Sequence, residues 1–99
     1  MILKKHALPE GKLMVALCDS SLLGKRIEEG NRQLDLTSNF YKGNETSAAD
    51  ALPLMRKARI LNVVGEESVD ICIKNSLVRK ENVLRIGKVP YAQAVVAEE

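Results

Sequence analysis

The chain has 99 residues, with 15 Lys and Arg against 13 Asp and Glu, one His and a net formal charge of +2. That balance excludes a strongly basic nucleic-acid coat and an acidic disordered tail alike. With 45% hydrophobic and 28% charged residues, the sequence reads as one compact domain over 1–97 with a frayed tail at 98–99. One Phe, two Tyr and no Trp leave the core to Leu, Val, Ile, Ala and Met.

The opening Met1-Ile2-Leu3-Lys4-Lys5-His6 lacks the apolar stretch of roughly 7–15 residues that a secretory signal needs. The longest apolar run, Leu13 to Cys18, is far short of the ~20 residues that span a bilayer. A cytoplasmic protein without a membrane partner is the expectation. Cys18 and Cys72 lie far apart in apolar surroundings with no C-x-x-C pair. They read as buried reduced thiols, with a disulfide between them as the alternative for a hyperthermophile.

In chain order, Ile2 to Ala7 and Leu13 to Cys18 form a first hairpin about Leu8-Pro9-Glu10-Gly11-Lys12, where Pro presets one corner and Gly accepts the other. Asp19 to Gly24 describes a single helical turn. A second hairpin follows, Lys25 to Glu28 and Arg32 to Leu36, with Ile27, Leu34 and Leu36 facing inward by period-two alternation. Ser38 to Thr46 is a loop holding Phe40 and Tyr41.

From Ser47 the pattern becomes helical, with Ala51, Leu52, Met55, Ala58 and Leu61 three and four apart. Pro53 argues for Asp50 over Ser47 as the cap, because a helix starting at Ala51 keeps the proline within the first turn, where no N–H is needed. Ile60 to Val64 either extends this helix or leaves it, and Gly65 breaks it. Glu66 to Asn75 fits a strand or a helix. Helix is favoured by Glu66 and Glu67 at the positive end of the dipole, Lys74 at the negative end, and Asn75 as a left-handed cap. Asn82 to Ile86, the turn Gly87-Lys88, and Val89 to Val96 make a final strand pair. Pro90 cannot donate to a ladder, so that strand is expected at an edge. The fold class is therefore α+β: antiparallel strands in two N-terminal hairpins, two central helices and a C-terminal strand pair.

The chemistry-bearing patterns are sparse. One His and two distant Cys match no zinc spacing, and no calcium-loop pattern occurs, so no metal is expected. The Gly-Lys pairs lack the phosphate-loop frame, which leaves no expected cofactor. Folding the first hairpin places His6 opposite Val15 or Ala16, about 7–10 Å short of Cys18 along the strand, too far for a Cys-His dyad. Two basic clusters stand out: Arg56, Lys57 and Arg59, and then Arg79, Lys80, Arg85 and Lys88. Gathered in space, such residues bind phosphate. Tyr91, beside Arg85 and Gln93, is the best-placed aromatic for stacking on a base.

Two blocks carry a family resemblance: Cys18-Asp19-Ser20-Ser21-Leu22-Leu23-Gly24-Lys25, and Asn62-Val63-Val64-Gly65-Glu66 followed by Glu81 through Gln93. Together they resemble a family of small archaeal proteins classed as domain of unknown function 424, over nearly the whole chain. The last loop departs from the family pattern, with Lys88 at a second glycine's place and Tyr91 at a histidine's. The resemblance implies an archaeal cytoplasmic protein, supports the helix at Glu66 to Asn75, and brings no catalytic residue.

The leading expectation is a non-catalytic interaction module whose partner is RNA or a ribonucleoprotein of the translation or RNA-processing machinery. Arg79, Lys80, Arg85 and Lys88 would contact phosphate, and Tyr91 and Gln93 a base or a protein. A second cluster, Cys18, Asp19, Gly24 and Lys25, supplies the rival: a small enzyme between the Cys18-Asp19 turn and the Gly87 to Gln93 loop. There Cys18 would be the nucleophile, Asp19 the acid or base, and Lys25 or Arg85 the anion stabiliser. A third expectation is a protein-binding homodimer through the edge strand carrying Pro90 and Tyr91.

Overall fold

The structure is a computed structural model and describes residues 1–95; Val96 and the expected tail lie outside them. Strands β1 (Ile2–Ala7) and β2 (Leu13–Cys18) form the first hairpin, with Ile2 opposite Cys18 and His6 opposite Met14. Strand β6 (Ile60–Val64) then lies parallel to β2, and β8 (Val89–Val95) antiparallel to β6. With the short edge strands β5 (Asn44–Glu45) and β7 (Leu84–Ile86), the sheet has six strands in the order β5-β1-β2-β6-β8-β7. The second hairpin, β3 (Arg26–Glu29) and β4 (Arg32–Asp35), is a separate two-stranded sheet. The α+β reading holds, with a parallel β2/β6 pair at its centre.

Helices α1 (Ala48–Lys57) and α2 (Glu66–Lys74) cover one face of the large sheet. Val15 and Leu17 of β2, Leu61 and Val63 of β6, and Ala92 of β8 pack there against Met55, Ala51, Val69 and Cys72. The opposite face carries Ile2, Cys18 and Val64, capped by Leu36, Ile27 and Leu34 of the small hairpin and by Tyr41. Alternating residues of one central strand thus feed two cores, as a period of two requires. This arrangement removes the disulfide alternative: Cys18 and Cys72 are free and belong to different cores.

Several local expectations are corrected. Ser47 does cap α1, its Oγ accepting from the Asp50 N–H at 3.1 Å, with Pro53 inside the helix. The hydrogen bond that Pro53 forfeits would end on the Ala49 carbonyl, and both residues are exposed, so water can serve that carbonyl. Burial of Ala51 and Met55 holds the turn in place. At the end of α2 the left-handed residue is Ser76, φ 59°, while Asn75 caps with its side chain, Nδ2 donating to the Ile71 carbonyl at 2.9 Å. The final hairpin is shorter than expected, because Lys80–Asn82 winds into a 3-10 turn before β7.

Pro90 sits in an internal strand rather than at an edge, between Gly65 and Arg85. Its carbonyl accepts from the Gly65 N–H at 2.8 Å. The carbonyl that a β8 N–H would have served is that of Gly65, and it instead accepts the first helical bond of α2, from Val69 at 2.9 Å. The missing donor is therefore not missed. A second copy pairing its backbone at Pro90 and Tyr91 themselves would have to displace β7, which already covers both residues.

Candidate functional site

Parallel strands β2 and β6 end side by side at Cys18 and Val64, the place where open sheets present ligands. Asp19 extends the pairing by donating its N–H to the Val64 carbonyl at 3.1 Å. Its carboxylate then reaches the start of α2. Oδ2 accepts from the Glu67 N–H at 3.1 Å, and Oδ1 accepts from the Ser68 N–H at 2.8 Å and the Ser68 hydroxyl at 2.7 Å. Gly65, φ 111° and ψ 156°, occupies the cap position without a side chain of its own. A Cβ there would overlap the Asp19 carboxylate. Asp19 is thus the cap of a helix 48 residues downstream, with its charge at the positive end of the dipole.

Neighbouring acids are likewise engaged. Ser20 Oγ donates to Glu45 Oε1 at 2.5 Å, and this bond, with the Met1 amino group 3.4 Å from Oε2, holds the Glu45 carboxyl below its ordinary range. Asp35 is held low mainly by hydrogen bonds from Thr37. Among the described residues, no three His, Cys, Asp or Glu side chains converge on a metal-sized site, and no helix is long and apolar enough to cross a membrane.

The rival enzyme loses its nucleophile. Cys18 has no exposed surface, and burial pushes its thiol from an ordinary 9.0 up to about 11, with Asp19 adding to the rise. It lies four positions beyond Met14, the residue opposite His6, and the His6 ring instead stacks on Phe40 with centroids 4.4 Å apart. Cys72 is buried as well and also raised to about 11. At neutral pH a thiol raised this far holds about 100-fold less thiolate than an ordinary one. Both thiols should therefore react with iodoacetamide at neutral pH at least about 100-fold more slowly in the folded protein than in denaturant. Labelling of Cys18 at the unfolded rate would restore it as a nucleophile.

The two blocks singled out from sequence do meet. A depression of about 190 Å³ is lined by Asp19, Ser21 and Leu22 on one side and by Lys88, Val89 and Pro90 on the other, with Gly65 and Glu66 beneath. Cys18, Gly24 and Lys25 are not among its lining residues. Gly24, φ 84°, turns the chain into β3 and donates to the Leu36 carbonyl at 2.8 Å, and Lys25 is exposed beyond it. Glu66 and Pro90 also line a second depression of about 300 Å³, which continues past Arg85 to Lys80, Asp70 and Ile73. Within it Arg85 is paired to Glu66 at 3.0 Å and donates to the Lys88 carbonyl at 3.2 Å.

The other candidates separate. Arg79 and Gln93 share a third depression of about 270 Å³ with Ser76 and Asn82. Tyr91 lies on the face opposite the helices, where Arg32 of β4 donates to its hydroxyl at 2.9 Å. Sequence spacing offers no sign of Arg32, because 59 residues separate the pair. Arg56 of the first basic cluster donates to Asn75 Oδ1 at 3.4 Å.

The sequence profile of a family described as protein of unknown function (DUF424) matches residues 6–96. The fold is similar to the crystal structure of an uncharacterized conserved protein from Methanopyrus kandleri, with a TM-score of 0.82 and 25% identity over 99% of this chain and 93% of that one. No curated protein matches the sequence.

Proposed function

Because this chain belongs to the DUF424 family, whose description names no activity, we propose from its surface chemistry that it is a non-catalytic module gripping the phosphate backbone of RNA. The RNA is bare or within a ribonucleoprotein, and the setting is cytoplasmic. The observation that carries this reading is the run of Lys88, Arg85 and Lys80 along two adjoining depressions that share Glu66 and Pro90. Asp19, Glu66 and Asp70 line the same track, so the attraction is local and modest, in keeping with a net charge of +2. Glu66 holds Arg85 in the free protein and would release it to a phosphate.

Fluorescence anisotropy with a labelled single-stranded RNA tests this. Three phosphate contacts give a log–log salt slope of about −2, or about a 20-fold loss between roughly 50 and 200 mM salt. Arg85→Ala with Lys88→Ala should leave a slope near about −0.7, whereas Glu66→Gln should tighten binding. Affinity that ignores salt, or survives the double substitution unchanged, refutes the phosphate grip.

A further inference from the structure

Strand β8 is paired to β6 from Tyr91 to Val95 but to β7 only from Val89 to Tyr91. Pairing stops there because Lys80–Asn82 is wound into a 3-10 turn that uses its own amides. Asn82 donates to the Arg79 carbonyl at 2.9 Å and Val83 to the Lys80 carbonyl at 3.2 Å. The Gly65-to-Pro90 bond sets the alternation along β8. Pro90, Ala92 and Ala94 direct their backbone groups to β6, and Tyr91, Gln93 and Val95 direct theirs outward. Tyr91 is answered by Leu84. The outward N–H and C=O groups of Gln93 and Val95 have no partner among the described residues. Both residues are exposed, Val95 to 68%.

This free edge opens into the 270 Å³ depression walled by Ser76, Leu77, Arg79 and Asn82. Arg79 is exposed and has no carboxylate partner among the described residues. We propose that the Gln93–Val95 edge docks an extended segment of a partner protein, adding a strand to the sheet, with an acidic side chain of that segment paired to Arg79. Alternating donors and acceptors along an edge are matched by another extended backbone, and a phosphodiester chain has no N–H to offer the outward carbonyls. Charge selects the partner. The seven residues of strand β8, Val89–Val95, include no acid, so a second copy pairing within those residues alone would leave Arg79 unanswered.

The site is distinct from the phosphate track, and its probe is a blocked pentapeptide of alternating valine and glutamate. In amide-resolved NMR the Gln93 and Val95 resonances should shift, and their hydrogen exchange should slow at least about tenfold at saturation, a population effect of the closed edge. The same peptide N-methylated at alternate amides should not bind. A lysine-for-glutamate peptide, or the Arg79→Glu protein, should weaken binding about tenfold. Three results overturn the proposal: no response at millimolar peptide, an equal response to the N-methylated peptide, or the same shifts on concentrating the protein alone, which would make the edge a self-association surface.

Discussion

Asp19→Ala is expected to destabilise the protein by about 2–4 kcal/mol without a change in fold class. The carboxylate serves two backbone N–H groups and the Ser68 hydroxyl, and Ser68 is fully buried. Truncation removes a helix cap, which costs about 0.5–2 kcal/mol, and leaves a buried donor unsatisfied, which costs about 1–3 kcal/mol more. Asp19→Asn should cost less, because an amide oxygen still accepts at the Oδ1 position, although its NH2 then faces the Glu67 N–H. Urea unfolding monitored by circular dichroism reads both values. A loss below about 0.5 kcal/mol for Asp19→Ala would mean that α2 does not depend on this cap.

Gly65→Ala should cost a comparable amount, about 2–4 kcal/mol, through two separable causes. The first is backbone: φ 111° with ψ 156° belongs to a region that only glycine adopts without strain. The second is the overlap of the added Cβ with the Asp19 carboxylate. Asp19→Ala abolishes the second cause and leaves the first. The double substitution should therefore destabilise by at least about 1 kcal/mol less than the sum of the singles. Strict additivity in the cycle would show that the carboxylate and the glycine do not share this space.

These effects explain why the family-resembling blocks at Cys18-Asp19 and Gly65-Glu66 come together. In the sequence Asp19 reads as an acid or base of a small active site, and it is instead a structural anion already bound at a helix N-terminus. The signal that could have revealed it is a helix opening on glycine with no capping side chain of its own, together with an aspartate directly after a strand. Local reading cannot join them, because capping rules apply within three or four residues, and here the contact spans 48.

Much of the rest is legible. The first hairpin, the inward set Ile27, Leu34 and Leu36, the helix at Glu66 and the Gly87-Lys88 turn all follow from short-range pattern and match the structure. The harder case is Ile60 to Val64. Its apolar residues are interrupted only at Asn62, as suits a strand covered on both faces, and periodicity cannot separate such a run from the end of a helix. Once it is a strand, the crossover through α1 from β5 sets it parallel to β5 and hence to β2, both of which run antiparallel to β1.

Sequence alone determined the class of the domain, its aliphatic core, the helix through Ala51 and Met55 and a preference for helix over strand at Glu66 to Asn75, because propensity, period and turn chemistry act over a few residues. Only the tertiary structure decided which basic residues share a surface. It separated Arg79 and Gln93 from Lys80, Arg85 and Lys88, buried Cys18, tied Tyr91 to Arg32 and gave the outer edge of Gln93–Val95 no partner among the described residues. The reason is physical: sheet order and the two-residue alternation assign each side chain and backbone group to a face or an edge, and both depend on contacts between strands far apart in the chain.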